Sequence, residues 1–99
     1  MYVQLKVVSF EWNPDKADEN LRKHGVQFST EAEGVFGDDF AITITDDESD
    51  PAEQRFIAIG MGAKARLLVV VYTYRGGNVR IISARTAQRH EREEYEAQR

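Results

Sequence analysis

The second half of the chain is rich in arginine, a side chain suited to binding phosphate or carboxylate groups. Residues 55–85 contain no acidic side chain and six cationic ones: Arg55, Lys64, Arg66, Arg75, Arg80 and Arg85. A guanidinium group is a planar fork of N–H donors that can bind two oxygens of one phosphate or carboxylate. The formal charge is −9 over residues 1–54 and +5 over residues 55–99. This asymmetry predicts an anionic partner, although the arginines could instead be solvated charges of surface strands.

Four other side chains could take part in the chemistry of such a partner. His24 is a candidate general acid or base, since imidazole exchanges a proton near neutral pH. Lys23 beside it is a candidate phosphate contact. Tyr72 and Tyr74 could stack on nucleobases, because every base offers a π face. Each has a simpler interpretation: the two cations suit the negative end of a helix, and the two tyrosines could pack within a sheet.

The acidic residues do not form a metal-binding pattern. Asp46, Asp47 and Asp50 are typical of a solvated loop, and no EF-hand spacing is present. Glu53, which follows them, could act as a base, but an ion-pair partner that orients Arg55 is the favoured interpretation. The chain has no cysteine, which excludes disulfides, thiolate catalysis, iron–sulfur clusters and zinc fingers. We therefore expect neither a metal ion nor another cofactor.

Length and composition are those of one globular domain spanning residues 1–99. The chain has 99 residues, of which 41% are hydrophobic and 30% charged. Its longest apolar run, residues 67–72, is far shorter than the roughly 20 residues that cross a bilayer. The N-terminal sequence lacks the features of a signal peptide. We therefore expect a cytoplasmic protein without a membrane partner.

Periodicity and turn residues predict the element order β-α-α-β-β-β-β-α. Asn13 and Pro14 suit the start of a helix, Gly25 suits its end, and Thr30 with Glu33 forms a capping box for a second, short helix. The predicted elements are a strand at 3–10, helices from 14 to the cap at 25 and from the capping box to 37, strands at 40–45, 55–60, 66–74 and 78–85, and a helix at 87–98. Helices that precede a run of strands indicate an α+β fold, with an antiparallel sheet and helices packed mainly on one face.

A two-residue turn at Gly76-Gly77 predicts the register of the last hairpin. Residues whose numbers sum to 153 would pair, so Tyr72 would lie opposite Ile81 and Leu68 opposite Arg85. One face would then carry Arg66, Tyr72, Tyr74, Ser83 and Arg85. The other face, predicted to be the core side, would carry Leu67, Val69, Val71, Ile82 and Ala84.

Several segments in a characteristic order are similar to a known family. These are FEWNPDKADENLRKHGVQF, EAEGVFGD, ExRFIAIG, RLLVVVYT, and RIISARxA followed by ERxxY, which together run from Phe10 to Tyr95. The chain resembles the BrnT family of toxins from type II toxin–antitoxin modules, which have a compact RelE-like fold. The resemblance implies an endoribonuclease that cleaves messenger RNA, inhibits translation and is neutralised by a small antitoxin encoded beside it. Operator DNA would be contacted only through the toxin–antitoxin complex.

The implied reaction assigns roles to the candidate residues. Metal-independent RNA cleavage uses the adjacent 2′-hydroxyl as nucleophile and needs a base, an acid and donors that stabilise the charge of the transition state. The candidates for charge stabilisation are Arg55, Arg66, Arg80 and Arg85. His24 is the candidate for proton transfer, and Lys23, Tyr72 and Tyr74 are candidate RNA contacts. Two alternatives stay open: a non-catalytic module that holds an acidic partner on the same basic face, and an inactive toxin kept as an operon co-repressor.

Overall fold

A computed structural model describes residues 9–48 and 50–98, so most of the strand predicted at residues 3–10 lies outside the described residues. The described elements are β1 (Phe10–Glu11), α1 (Pro14–His24), a 3₁₀ helix (Ala32–Gly37), β2 (Ile42–Asp46), β3 (Arg55–Met61), β4 (Leu67–Arg75), β5 (Asn78–Thr86) and α2 (Arg89–Ala97). The α+β class and the order of the elements are confirmed. No helix within the described ranges is long and apolar enough to span a membrane.

Helix α1 begins and ends where its sequence predicts. The side chain of Asn13 accepts hydrogen bonds from the backbone N–H groups of Asp15 and Lys16, at 2.9 and 3.2 Å. Gly25 adopts a φ of 70°, which favours glycine, and its N–H donates to the carbonyl of Leu21 at 2.9 Å. Both helix ends are therefore specified locally.

The second predicted helix is present only as a 3₁₀ helix, and its capping box is wrong. The hydroxyl of Thr30 donates to the side chain of Gln27 at 2.6 Å, and no side chain of the described residues caps the first turn. The preceding residue, Glu31, is 1% exposed and forms an ion pair with Arg66. This long-range contact fixes the backbone here, so the local capping signal does not decide the conformation.

The five strands have the order β1-β5-β4-β3-β2, and every neighbouring pair is antiparallel except β1 with β5. Gly76 and Gly77 have φ values of 59° and 84°, as a tight hairpin turn with two left-handed residues requires. The predicted register holds near the turn, where Tyr72 lies opposite Ile81. A bulge between Val71 and Tyr72 then shifts the pairing by one residue.

Because of the bulge, the predicted pairing of Leu68 with Arg85 is wrong, since Leu68 lies opposite Thr86. The predicted core face also needs correction. The larger core lies between the sheet and two elements packed against it, α1 and the 3₁₀ helix. It includes Val26, Phe28, Ala32, Val35, Leu68, Val70, Tyr72, Val79, Ile81 and Ala84. A smaller cluster on the opposite face contains Ile59, Leu67, Val69 and Tyr95. Strand alternation separates the two sets but does not say which side the helices cover.

Helix α2 covers only one end of this second face. Tyr95, which is 4% exposed, packs there against strands β3 and β4, and its hydroxyl donates to the carboxylate of Asp38 at 2.7 Å. The helix is anchored by this residue and by Glu91. Helix α2 therefore leaves the rest of this second face uncovered.

Candidate functional site

The strand register arranges the face that carries α2 into three rows of side chains. The first row is Ile42, Ile59, Val69 and Arg85; the second is Ile44, Ile57, Val71 and Ser83; the third contains Asp46, Arg55, Thr73 and Arg80. Helix α2 packs over the first row. Two residues of the third row, Arg55 and Arg80, line an open groove on the part of the sheet away from α2.

The groove lies between this third row and helix α1 and has a volume of about 450 Å³. Its lining residues are Asn13, Lys16, Glu19, Asn20, Lys23, His24, Glu53, Arg55, Arg75, Arg80, Ile81, Ile82 and Ser83. Arg55 and Arg80 are on strands separated by β4, which places their backbones about 10 Å apart. The structure thus brings together Lys23, His24, Arg55 and Arg80, four of the eight residues proposed from the sequence.

Asn20 holds α1 against the edge of β5 and so sets the wall of the groove. Its side chain donates to the carbonyl of Ala84 at 2.9 Å and accepts from the N–H of the same residue at 3.1 Å. It also donates to the carbonyl of Val26 at 3.0 Å. Strand β1 ends at Glu11 and does not reach this part of β5. The Asn20 amide binds the backbone N–H and C=O of Ala84 instead, because a buried strand edge needs partners for these groups. Lys16, Lys23 and His24 therefore line the wall.

The groove is positively charged. It is lined by five cationic side chains and two carboxylates, Glu19 and Glu53, a formal charge of +3 with His24 neutral. Arg80 is 3.4 Å from the carboxylate of Glu11, longer than a strong charge-assisted hydrogen bond. Arg55 is exposed and has no ion pair with any of the described residues. The guanidinium groups of Arg55 and Arg80 therefore keep N–H donors that could bind an anion.

Glu53 also lines the groove, but its predicted partner is wrong. Its carboxylate accepts from Arg75 at 3.1 Å rather than from Arg55. Arg75 lies at the end of β4, two residues after Thr73 and therefore on the same face. Glu53 thus holds a neighbouring arginine at the rim and leaves Arg55 available.

Arg66 and Arg85 lie outside the groove, each in a closed ion pair. The Arg66 guanidinium donates to both oxygens of Glu31, each at 2.6 Å, and to the carbonyl of Gly25 at 2.9 Å. The hydrogen bonds to Glu31 raise the pKa of Arg66. Arg85 binds both oxygens of Glu91 at 2.8 and 2.7 Å. These bonds lower the pKa of Glu91 and raise that of Arg85. Neither arginine is directed at the groove.

The two tyrosines lie on the opposite side of the sheet from the groove. Tyr72 is 4% exposed and contacts the rings of Phe36 and Phe56, and burial raises the pKa of its hydroxyl. Tyr74 is 60% exposed and packs edge-on against Phe56 and Tyr72. The prediction that the two tyrosines share a face with Ser83 and Arg85 is therefore wrong. The shift at the bulge and the position of the main core account for the error.

Sequence reasoning missed three groove residues that the helix and strand periods could have found. Lys16 and Asn20 lie seven and three residues before Lys23, so all three belong on one helical face. Arg75 follows the two-residue period of β4 from Thr73. Within residues 9–48 and 50–98, no three His, Cys, Asp or Glu side chains are grouped so that they could hold a metal ion.

Fold and groove together define a small α+β protein with an open, positively charged groove between helix α1 and the sheet. Residues 12–91 match the family model for the ribonuclease toxin BrnT of type II toxin–antitoxin systems, and the chain belongs to this family. The resemblance read from the sequence segments is confirmed.

The fold is similar to that in the 1.1 Å-resolution crystal structure of the Brucella abortus ribonuclease toxin BrnT. The TM-score is 0.65 with 22% sequence identity, and the alignment covers 84% of this chain and 100% of that chain. At this identity the similarity supports the fold alone. No curated protein sequence matches the chain.

Proposed function

We propose that this chain is the toxin of a type II module, an endoribonuclease that cleaves messenger RNA in the groove and thereby inhibits translation in the cytoplasm. Family membership supports ribonuclease activity and a cognate antitoxin. The single observation that carries the proposal is the convergence of Lys23, His24, Arg55 and Arg80 on one positively charged groove. These side chains can bind a phosphodiester and exchange a proton beside it.

The proposed reaction is cleavage by the neighbouring 2′-hydroxyl of the RNA. The O2′–P bond forms as the P–O5′ bond breaks, which leaves a 2′,3′-cyclic phosphate and a 5′-hydroxyl end. A base accepts the proton of the 2′-hydroxyl, and an acid donates a proton to the departing O5′. No metal ion is required for this balance.

Each groove residue has a role in this proposal. Arg55 and Arg80 stabilise the extra negative charge on the phosphate oxygens, because preorganised donors bind the transition state better than the ground state. His24 transfers a proton, and Lys23 binds a flanking phosphate of the RNA. Arg66, Arg85, Tyr72 and Tyr74 are not assigned catalytic or RNA-binding roles, since none of them lines the groove.

Cleavage of a short RNA by the purified chain in excess EDTA tests this function. We expect cleavage that leaves a cyclic phosphate, and we expect none when a single 2′-deoxynucleotide replaces the residue at the cleaved bond. Cleavage of that substituted substrate would contradict the 2′-hydroxyl mechanism. A chain that binds the RNA without cleaving it would favour the non-catalytic module.

A matched pair of variants on α1 tests whether the groove is the site. Lys23 lines the groove, and its neighbour Arg22, also exposed, does not. We expect Lys23→Ala to weaken RNA binding severalfold and to make binding less sensitive to salt, because one phosphate contact is lost. Arg22→Ala should leave both properties unchanged. Equal losses in the two variants would indicate diffuse charge attraction rather than a defined site.

A further inference from the structure

The second row of the α2 face, beside the groove, carries an apolar strip that α2 does not close. Three side chains from adjacent strands form this strip: Ile44, Ile57 and Val71. Ile44 is 50% exposed and the other two are half-buried. Together with residues of α2 they line a second cavity of about 260 Å³. Apolar surface this exposed, arranged in a line and next to a charged groove, is typical of an interaction site.

The strip and the groove form one continuous surface. Ser83, at the end of the second row, lines both cavities. The two sides of the strip differ in charge. On one side is the groove, with its formal charge of +3. On the other side are His90 and Glu94 of α2, together with Glu91, whose charge is already paired with Arg85.

We propose that an acidic segment of the cognate antitoxin occupies this surface, with apolar side chains on the strip and carboxylates on Arg55 and Arg80. The identity of the occupant rests on the proposed function, because the antitoxin partner follows from the toxin assignment. Charge complementarity selects the segment: carboxylates bind the groove, whereas Glu94 would repel them on the opposite side. An RNA strand, which is charged along its whole length, gains less from a strip of isoleucine and valine than an amphipathic peptide does.

The proposal explains how the toxin would be inhibited. The segment places carboxylates where the substrate phosphates would bind, so antitoxin and RNA exclude each other. Inhibition is then direct occlusion of the groove and needs no conformational change in the toxin. The strip supplies affinity for the antitoxin that RNA does not share, which allows the antitoxin to displace a bound substrate.

Calorimetric titration with the purified product of the gene adjacent to the toxin gene tests the surface. We expect Ile44→Ser to weaken binding of this antitoxin about tenfold or more, as the loss of an apolar anchor at an interface does. The control is Leu21→Ser, which removes a side chain of similar size that is 41% exposed on α1, outside the strip. It should leave the affinity unchanged. Ile44→Thr, which keeps the β-branched shape suited to a strand, should give a smaller loss in the same direction.

RNA cleavage by the same variants separates this inference from the proposed function. We expect Ile44→Ser to cleave RNA at the wild-type rate and to require more antitoxin for inhibition. Unchanged antitoxin affinity in Ile44→Ser and Ile44→Thr would overturn the proposal, as would a loss of cleavage without a loss of antitoxin binding, which would make the strip an RNA surface. A stable ternary complex of toxin, antitoxin and uncleaved RNA would also overturn it. If the unbound chain cleaves no RNA while the binding results hold, the proposed function fails and the surface stands.

Discussion

Two pairs of arginines that have the same significance in the sequence have different surroundings in the molecule. Arg55 and Arg80 line an open groove, one with no ion pair among the described residues and the other with a long contact of 3.4 Å to Glu11. Arg66 and Arg85 each bind both oxygens of one carboxylate at 2.6 to 2.8 Å. A guanidinium group that already donates to both oxygens of a carboxylate has few donors left for a phosphate. The first pair is therefore available for binding, and the second pair stabilises the fold.

The carboxylate partners explain the difference between the pairs. Glu31 is 1% exposed and binds Arg66 in the turn before β4. The Arg66 guanidinium also donates a hydrogen bond to the carbonyl of Gly25, at the end of α1. Glu91 holds Arg85 and at the same time accepts from the N–H of Gln88 at 2.8 Å, at the start of α2. Each closed pair joins a helix or its end to the sheet. In the open pair, Arg55 has no ion pair among the described residues, and Arg80 has only the long contact with Glu11, so both are available to bind an anion.

The largest effect is expected from Arg55→Ala and Arg80→Ala. Loss of a donor that stabilises transition-state charge reduces turnover by about 100-fold to 1,000-fold. Unfolding midpoints should change little for Arg55→Ala, because Arg55 is exposed and has no ion pair among the described residues, and such side chains contribute little stability. The measurement is single-turnover cleavage of RNA beside thermal unfolding of the same samples. Arg89→Ala, which removes a side chain that is 93% exposed on α2, is the control and should retain activity.

The next effect is expected from Arg66→Ala, and it concerns stability. The substitution leaves the carboxylate of Glu31 buried without its partner, which is costly because a buried charge needs compensation. We expect the unfolding midpoint to fall by several degrees or more while the folded fraction still cleaves RNA. The double variant Arg66→Ala/Glu31→Gln should recover part of the loss, since it removes the buried charge. Inactive but fully stable Arg66→Ala would place this arginine with the open pair.

The sequence predicts the strand positions of Arg55, Arg80 and Arg85, but it puts Arg66 on a strand, whereas the structure has it in the turn before β4. It does not predict which face each arginine is on or what each one binds. Helix α1, the strands and the hairpin turn follow from local signals such as Asn13, Gly25 and Gly76-Gly77. The bulge after Val71 has no local signal, and it decides which residues of β4 and β5 share a row. Partners such as Glu31 for Arg66 are separated by 35 residues, a contact set by the fold as a whole. The sequence therefore named eight candidate residues, of which four line the groove. It could not show which arginines would be open and which would be bound in ion pairs.

A smaller effect, dependent on pH, is expected from Glu91→Gln. The hydrogen bonds from Arg85 lower the pKa of Glu91 below its ordinary value of 4.5. A carboxylate with a lowered pKa stabilises the folded state above its unfolded pKa, and the contribution is lost as the pH falls through the folded value. We expect a loss of about 1 kcal/mol at pH 7, modest because the Arg85 side chain is 37% exposed and solvent screens the pair. In urea unfolding, the difference from the wild type should begin to shrink as the pH falls below about 4.5. A difference that is as large at pH 3 as at pH 7 would contradict the assignment.

The smallest effect on cleavage is expected from Tyr74→Ala, although this tyrosine is 60% exposed and of a type that often stacks on bases. It lies on the side of the sheet opposite the groove, in edge-on contact with Phe56 and Tyr72. We expect RNA affinity and turnover within about twofold of the wild type, and a lower unfolding midpoint because ring contacts are lost. Fluorescence titration with labelled RNA measures the first and thermal unfolding the second. Weaker RNA binding in Tyr74→Ala with an unchanged midpoint would mean that RNA reaches both faces of the sheet, and exposure rather than the open groove would then identify the residues that bind it.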